Sequence, residues 1–111
     1  MWAFTSDWIN QMIYLTQLIH VREGREADFQ QFEEIVLPRL SRYSGELLLR
    51  LRPDQASKIA GSGELPYEVH IVRFETEEGL ARYSNDEERQ RWLHLKDQSV
   101  RSALLIKGAL V

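Results

Sequence analysis

At 111 residues the chain has room for one hydrophobic core and not for two, and its 43% hydrophobic and 28% charged content is that of an ordinary globular protein. The 14 Lys and Arg are scattered among 17 Asp and Glu for a net charge of -3, so there is no basic footprint for nucleic acid or an anionic membrane. The lack of any cysteine excludes disulfides, thiolate catalysis and iron–sulfur or zinc-ribbon sites.

Residues 1–11 carry no Lys or Arg and no long apolar stretch, which argues against a signal peptide. They are expected to form an extension ahead of a single domain spanning 12–111, with Trp2, Phe4 and Trp8 too apolar to hang free in water. No later segment approaches the roughly 18 apolar residues of a membrane helix, and a cytoplasmic location is expected.

Residues 13–22 alternate imperfectly, as a central strand covered on both faces would, and the run stops at Gly24. From Glu26 to Tyr43 the apolar residues Phe29, Phe32, Val36, Leu40 and Tyr43 recur every three or four positions, the stripe of an amphipathic helix. Pro38 removes a backbone hydrogen bond and predicts a kink near Glu34, while Ser44-Gly45 predicts the end, with the glycine in the left-handed cap.

Glu46 to Arg52 alternates as a second strand, with Leu47, Leu49 and Leu51 on one face, and Pro53 closes it. Residues 53–66 have loop composition and make an unusually long connection. Tyr67 to Phe74 is a third strand, after which Thr76, Glu77 and Glu78 form a helix start with acids placed well for the dipole. This helical region should break at Ser84-Asn85-Asp86, with Asp86 recapping a segment that buries Trp92 and Leu95. Leu104 to Leu110 is the last strand.

The order is β-α-β twice over, an α+β chain with a four-stranded antiparallel sheet and both helical regions on one face. Two helices cover only one face of such a sheet, and these strands are too apolar for the other to remain in water. A second copy of the chain, packed through its sheet face, is the simplest cover.

The runs Ile13 to Gly24, Gly45 to Pro53, Tyr67 to Glu75 and Leu104 to Gly108 resemble small uncharacterised proteins of the dimeric α/β-barrel superfamily, with a ferredoxin-like βαββαβ fold. The resemblance covers about residues 12–110. It implies a homodimer closed through the open sheet faces, a strand order 4-1-3-2, and a pocket on each side of the barrel. It leaves activity open, because the superfamily includes cofactor-free monooxygenases, haem-degrading enzymes, lactone isomerases and stress-responsive proteins.

With that strand order, His20, Arg50, Arg52, Glu68 and His70 gather at one end of the sheet. Glu68 and His70 share a face, as do Arg50 and Arg52. If Leu47, Leu49, Leu51, Val69 and Ile71 face the helices, the polar set faces the barrel, as a structural ion-pair network or as a site for a small anionic or polar ligand anchored on Arg50. Phe74 speaks against this parity, since a large ring just before a helix tends to pack beneath it; the opposite parity would put Gln17, Ile71 and Arg73 in the barrel.

His20, His70 and Glu68 have the composition of a facial iron site, but two nearby guanidinium groups oppose a cation, so no metal is expected. His94 matches the axial histidine of haem-degrading relatives only in residue type, and no cofactor is expected. Phosphate-loop, dinucleotide-binding, nucleophile-elbow and metalloprotease motifs are all missing. The expectation is therefore a homodimer that binds a small anionic or polar molecule in the barrel, the alternative being a cofactor-independent monooxygenase or isomerase acting there.

Overall fold

A computed structural model describes residues 12–111; the expected extension at 1–11 lies outside the described residues. Strand β1 (Ile13–Val21) leads into helix α1 (Glu26–Val36), a 3-10 segment (Leu37–Tyr43) and strand β2 (Gly45–Leu51). After a long loop come β3 (Glu68–Phe74), the short helices α2 (Glu77–Ser84), α3 (Glu87–Arg91) and α4 (Leu93–Ser99), and strand β4 (Val100–Gly108). The sheet is antiparallel with order β2-β3-β1-β4, the βαββαβ arrangement expected from the sequence.

Helix α1 buries Phe29, Phe32, Glu33 and Val36, the i, i+3, i+4, i+7 face of one helix. Pro38 does more than kink it. The α winding stops at Val36 and tightens into the 3-10 segment, with the proline in its first turn where no intrahelical N–H is needed. Leu40, in that segment, joins Ile13, Leu15, Val72 and Phe74 in the main core cluster.

The left-handed residue at the end is Ser44, with φ 58°, and not Gly45. Gly45 already begins β2, and its lack of a side chain serves a different need: a Cβ there would lie 2.6 Å from Cε1 of the fully buried Phe74. Thr76 caps α2 by accepting from the Gly79 N–H, as the sequence predicts. The chain breaks at Asn85, and Asp86 caps α3 through the Arg89 N–H while receiving both Nε and Nη2 of Arg39 and the Tyr43 hydroxyl. Leu95 is buried and Trp92 packs partly buried beside it.

At the other end of the sheet, Arg22 Nη1 donates to the carbonyls of Asp97, Gln98 and Val100, a cation on the C-terminal carbonyls of α4. Strand β4 starts at Val100, four residues before the expected Leu104, because Arg101 and Ser102 lie on an edge strand where polar side chains reach water.

Of the two parities the sequence leaves open, the sheet takes the one that Phe74 signals, with Ile71 and Arg73 on the open face; Gln17 is the exception, since it pairs with His70 on the helix side. Ile13, Leu15, Gln17 and Ile19 of β1 pair with Phe74, Val72, His70 and Glu68 of β3, and these residues face the helices. In β2 a bulge at Leu48 changes the alternation: Leu47 pairs with Val72 on the helix side, but beyond the bulge Arg50 pairs with His70 there, and Leu49 and Leu51 turn to the open face. That face also carries Leu18, Val69, Ile71, Leu104 and Ile106, and Leu104 and Ile106 remain more than half exposed. Among the described residues no helix is long and apolar enough to cross a membrane.

Replacing Gly45 by Ala should force the new methyl against the Phe74 ring and the Leu40 carbonyl. A loss of about 1–3 kcal/mol in urea unfolding is expected, the usual cost of overpacking; an unchanged midpoint would show that the ring and strand relax freely.

Candidate functional site

The polar residues of β2 and β3 meet beneath α1. Glu68 is the centre, 1% exposed, and both of its oxygens are occupied. Oε2 accepts from Arg50 Nε at 2.8 Å and from His70 Nε2, and Oε1 accepts from Arg52 Nη2 at 2.7 Å. Arg50 and Arg52 reach in from the β2 edge with their outer parts in solvent, and the Arg52 guanidinium lies 4.6 Å from the centroid of the Tyr67 ring. His70 is almost wholly buried, and its second nitrogen, Nδ1, stands 3.8 Å from Glu33 Oε2 on α1.

These contacts fix a direction. An ionised Glu68 accepts the His70 Nε2 proton, which in the neutral imidazole leaves the lone pair on Nδ1, pointing toward Glu33. The two carboxyls are pushed opposite ways. Burial works against the charged form of Glu68, but hydrogen bonds from His70, Arg50 and Arg52 outweigh it and hold the group down at about 2. Burial pushes Glu33 up to about 7, with repulsion from Glu68 adding to it and attraction from His70, Arg50 and Arg89 opposing. A carboxyl held at about 7 thus faces an imidazole nitrogen across a gap of 3.8 Å.

The gap opens into a cavity of about 170 Å³ between helices and sheet, whose wall includes Gln17, Glu33, His70, Tyr83, Arg89 and Lys96 among Leu, Val and Phe side chains. The described residues thus put this cavity on the helix side, and Glu68 and His70 do not face a barrel. Arg50 and Arg52 join them because of the bulge. His20 does not: it sits on the opposite face, across from Ser102, 3.9 Å from Glu64 beside a shallow hollow near Arg101. His94 stacks near Trp92, ring centroids 5.8 Å apart, and lines none of these walls.

Glu33, Arg89 and Lys96 were not singled out from the sequence. Glu33 left a trace, since it falls four residues after Phe29 inside the apolar stripe of a helix, where a carboxylate needs a reason. Arg89 and Lys96 lie in a helical region too broken to give a face.

Glu33, Glu68 and His70 also bring possible metal-ligand atoms within 4.8 Å of one another. A cation there would have to displace Arg50 or His70 from Glu68 and sit beside a guanidinium, so the donor set fits an ion-paired network better than a metal centre.

No family model matches the chain, and no curated protein matches it significantly. Among solved structures, a protein of unknown function from Rhodopseudomonas palustris superposes with TM-score 0.79 at 13% identity, over 97% of this chain and 91% of that one. A Dabb family protein with a ferredoxin-like fold from Mesorhizobium loti gives 0.66 at 15% identity, over 91% and 98%. A dimeric ferredoxin-like protein of unknown function from Thermobifida fusca gives 0.65 at 12%, over 91% and 92%. At such identities the likeness establishes the fold, a ferredoxin-like α+β domain, and nothing about activity.

The two carboxyls make opposite contributions to stability with pH. Glu33 holds its proton more tightly folded, at about 7, than at its ordinary value of 4.5. Its contribution is complete below 4.5 and is lost as pH rises to 7; that of Glu68 is present above 4.5 and is lost as pH falls toward 2. Glu33→Gln removes the Glu33 contribution alone. In urea unfolding the variant should match wild type near pH 4.5 and exceed it at pH 8 by on the order of 3 kcal/mol, at about 1.4 kcal/mol per tenfold change in proton affinity. A variant less stable than wild type at pH 8 would show that ionised Glu33 is a favourable partner of His70.

Proposed function

We propose that the chain works as a homodimer joined through its open sheet faces, and that each protomer binds a small molecule in its helix–sheet cavity and exchanges a proton with it through His70 and Glu33. The observation that carries the reading is the buried row from the arginines through Glu68 and His70 to Glu33, ending at a cavity wall. A purely structural network gains nothing by placing a carboxyl that is costly to ionise in the wall of a hollow lined mainly by apolar side chains.

The chemistry is that of a cofactor-independent isomerase. Neutral His70 Nδ1, or the Glu33 carboxylate, takes a proton from a carbon made acidic by a neighbouring carbonyl, and the C–H electron pair is delocalised onto the carbonyl oxygen. The same proton is then returned to the ligand at another atom. Glu68 stays ionised throughout and steadies the imidazolium, while Arg50 and Arg52 keep it so.

Proton exchange can be observed directly. With cyclohexanone or phenylpyruvate in D2O, the protein should speed the loss of the α-proton signal in NMR, and His70→Asn, if folded, should lose at least tenfold of that acceleration. Exchange no faster than in buffer for both compounds would leave the row as a structural ion network.

The dimer follows from the open face. Leu49, Leu51, Leu104 and Ile106 form a flat apolar surface of the kind that a partner sheet buries, with roughly 2,000 Å² or more removed from water in an obligate pair. Light scattering should give twice the 13.1 kDa chain mass. Leu104→Glu combined with Ile106→Glu should return the monomer mass; a monomeric wild type at micromolar concentration would contradict the assembly.

A further inference from the structure

The cavity wall opposite in character to the Glu68 network carries two cations, Arg89 and Lys96, that no carboxylate contacts directly among the described residues. Arg89 Nε is buried and has no hydrogen-bond partner among the described residues. Its guanidinium lies over the rings of Tyr83 and Phe32, 5.3 and 5.8 Å from their centroids, and Nη1 makes one long contact of 3.4 Å with the Ser84 carbonyl. Lys96 lines the same cavity. Among the described residues neither takes part in an ion pair.

We propose that this cavity takes a small organic acid whose carboxylate is received by Arg89 and Lys96 while its hydrocarbon body fills the apolar hollow, which deepens the reading given under Proposed function and rests on it. A buried guanidinium N–H left without an acceptor is unfavourable unless something arrives to accept it. The two cations also penalise each other: burial first, and then repulsion from Arg89, lower the proton affinity of Lys96. Glu33 is the carboxyl in the cavity wall, and it forms no ion pair with either of them; burial holds it at about 7, so it offers only part of a negative charge at neutral pH. An anion would relieve both costs.

The arrangement also selects which anion. A guanidinium edge and a carboxylate match in shape, so one acid group suffices. Between these cations and the His70–Glu33 end the wall is mainly Leu, Val, Ile and aromatic side chains, and a hollow of about 150 Å³ accommodates a body the size of benzene. Arg89 is held in place for the task, since its own backbone N–H donates to the Asp86 cap at 2.9 Å and Asp86 is in turn clamped by Arg39. With the acid end fixed there, His70 and Glu33 meet the other end of the ligand.

Calorimetric titration of the intact protein with benzoate and with neutral benzamide tests this. Benzoate is expected to bind at least tenfold more tightly than benzamide, and Arg89→Met should weaken benzoate by tenfold or more while leaving benzamide within about threefold. Lys96→Met, which leaves the ring stack untouched, should act in the same direction and supplies the answer if Arg89→Met does not fold. Equal binding of the two probes, or full benzoate affinity in the folded variants, would overturn the anion assignment and leave the cavity reading intact. Binding of neither probe would remove the cavity reading and this inference together.

Discussion

A single buried carboxylate organises this domain. Glu68 lies at the start of β3, beneath α1, where an unpaired charge would cost several kcal/mol, and the fold meets that cost with three donors: Arg50 of β2, Arg52 just past its end, and His70 of β3. Arg50 and Arg52 can supply two of them only because β2 changes face at Leu48. The bulge, the ion cluster and the placement of His70 therefore depend on one another. Take away the Leu48 bulge and both arginines would turn to the open face, where they would break up the apolar surface and leave Glu68 stranded.

That dependence explains which parts of the molecule could be read from the sequence. The apolar stripe Phe29, Phe32, Val36 and Leu40, the Thr76 and Asp86 caps and the four strands follow from periodicity and capping chemistry, which are local. The face of the sheet was harder. Leu47, Leu49 and Leu51 alternate cleanly, and nothing in Gly45 to Leu51 marks an inserted residue; the bulge is set by pairing with β3 and by the needs of Glu68. Phe74 was the reliable witness to parity, since its ring is buried under the helices and Val72, His70 and Glu68 must share its side. Strand order brings Arg50, Arg52, Glu68 and His70 to one end of the sheet, and the bulge turns the arginines to the same face, whereas His20, next to the inward-facing Ile19, lies on the other.

The two faces of the sheet consequently do different work. The open face carries Leu49, Leu51, Val69, Ile71, Leu104 and Ile106 and suits a second sheet. The helix face carries the core at one end and the polar row at the other, with the cavity between. Glu33 is the residue that turns a salt-bridge cluster into a candidate site. It comes from α1 and stands across His70 from Glu68 in surroundings that hold the two carboxyls at opposite ends of the carboxylate range.

The central claim is that asymmetry about one imidazole, and carbon-detected NMR of the glutamate side-chain carboxyls reads it most directly. A pH titration should show the Glu33 resonance moving with a midpoint at about 7, while Glu68 stays ionised until pH approaches 2. Midpoints near the ordinary 4.5 for both groups would mean that neither burial nor the arginines act on them as described.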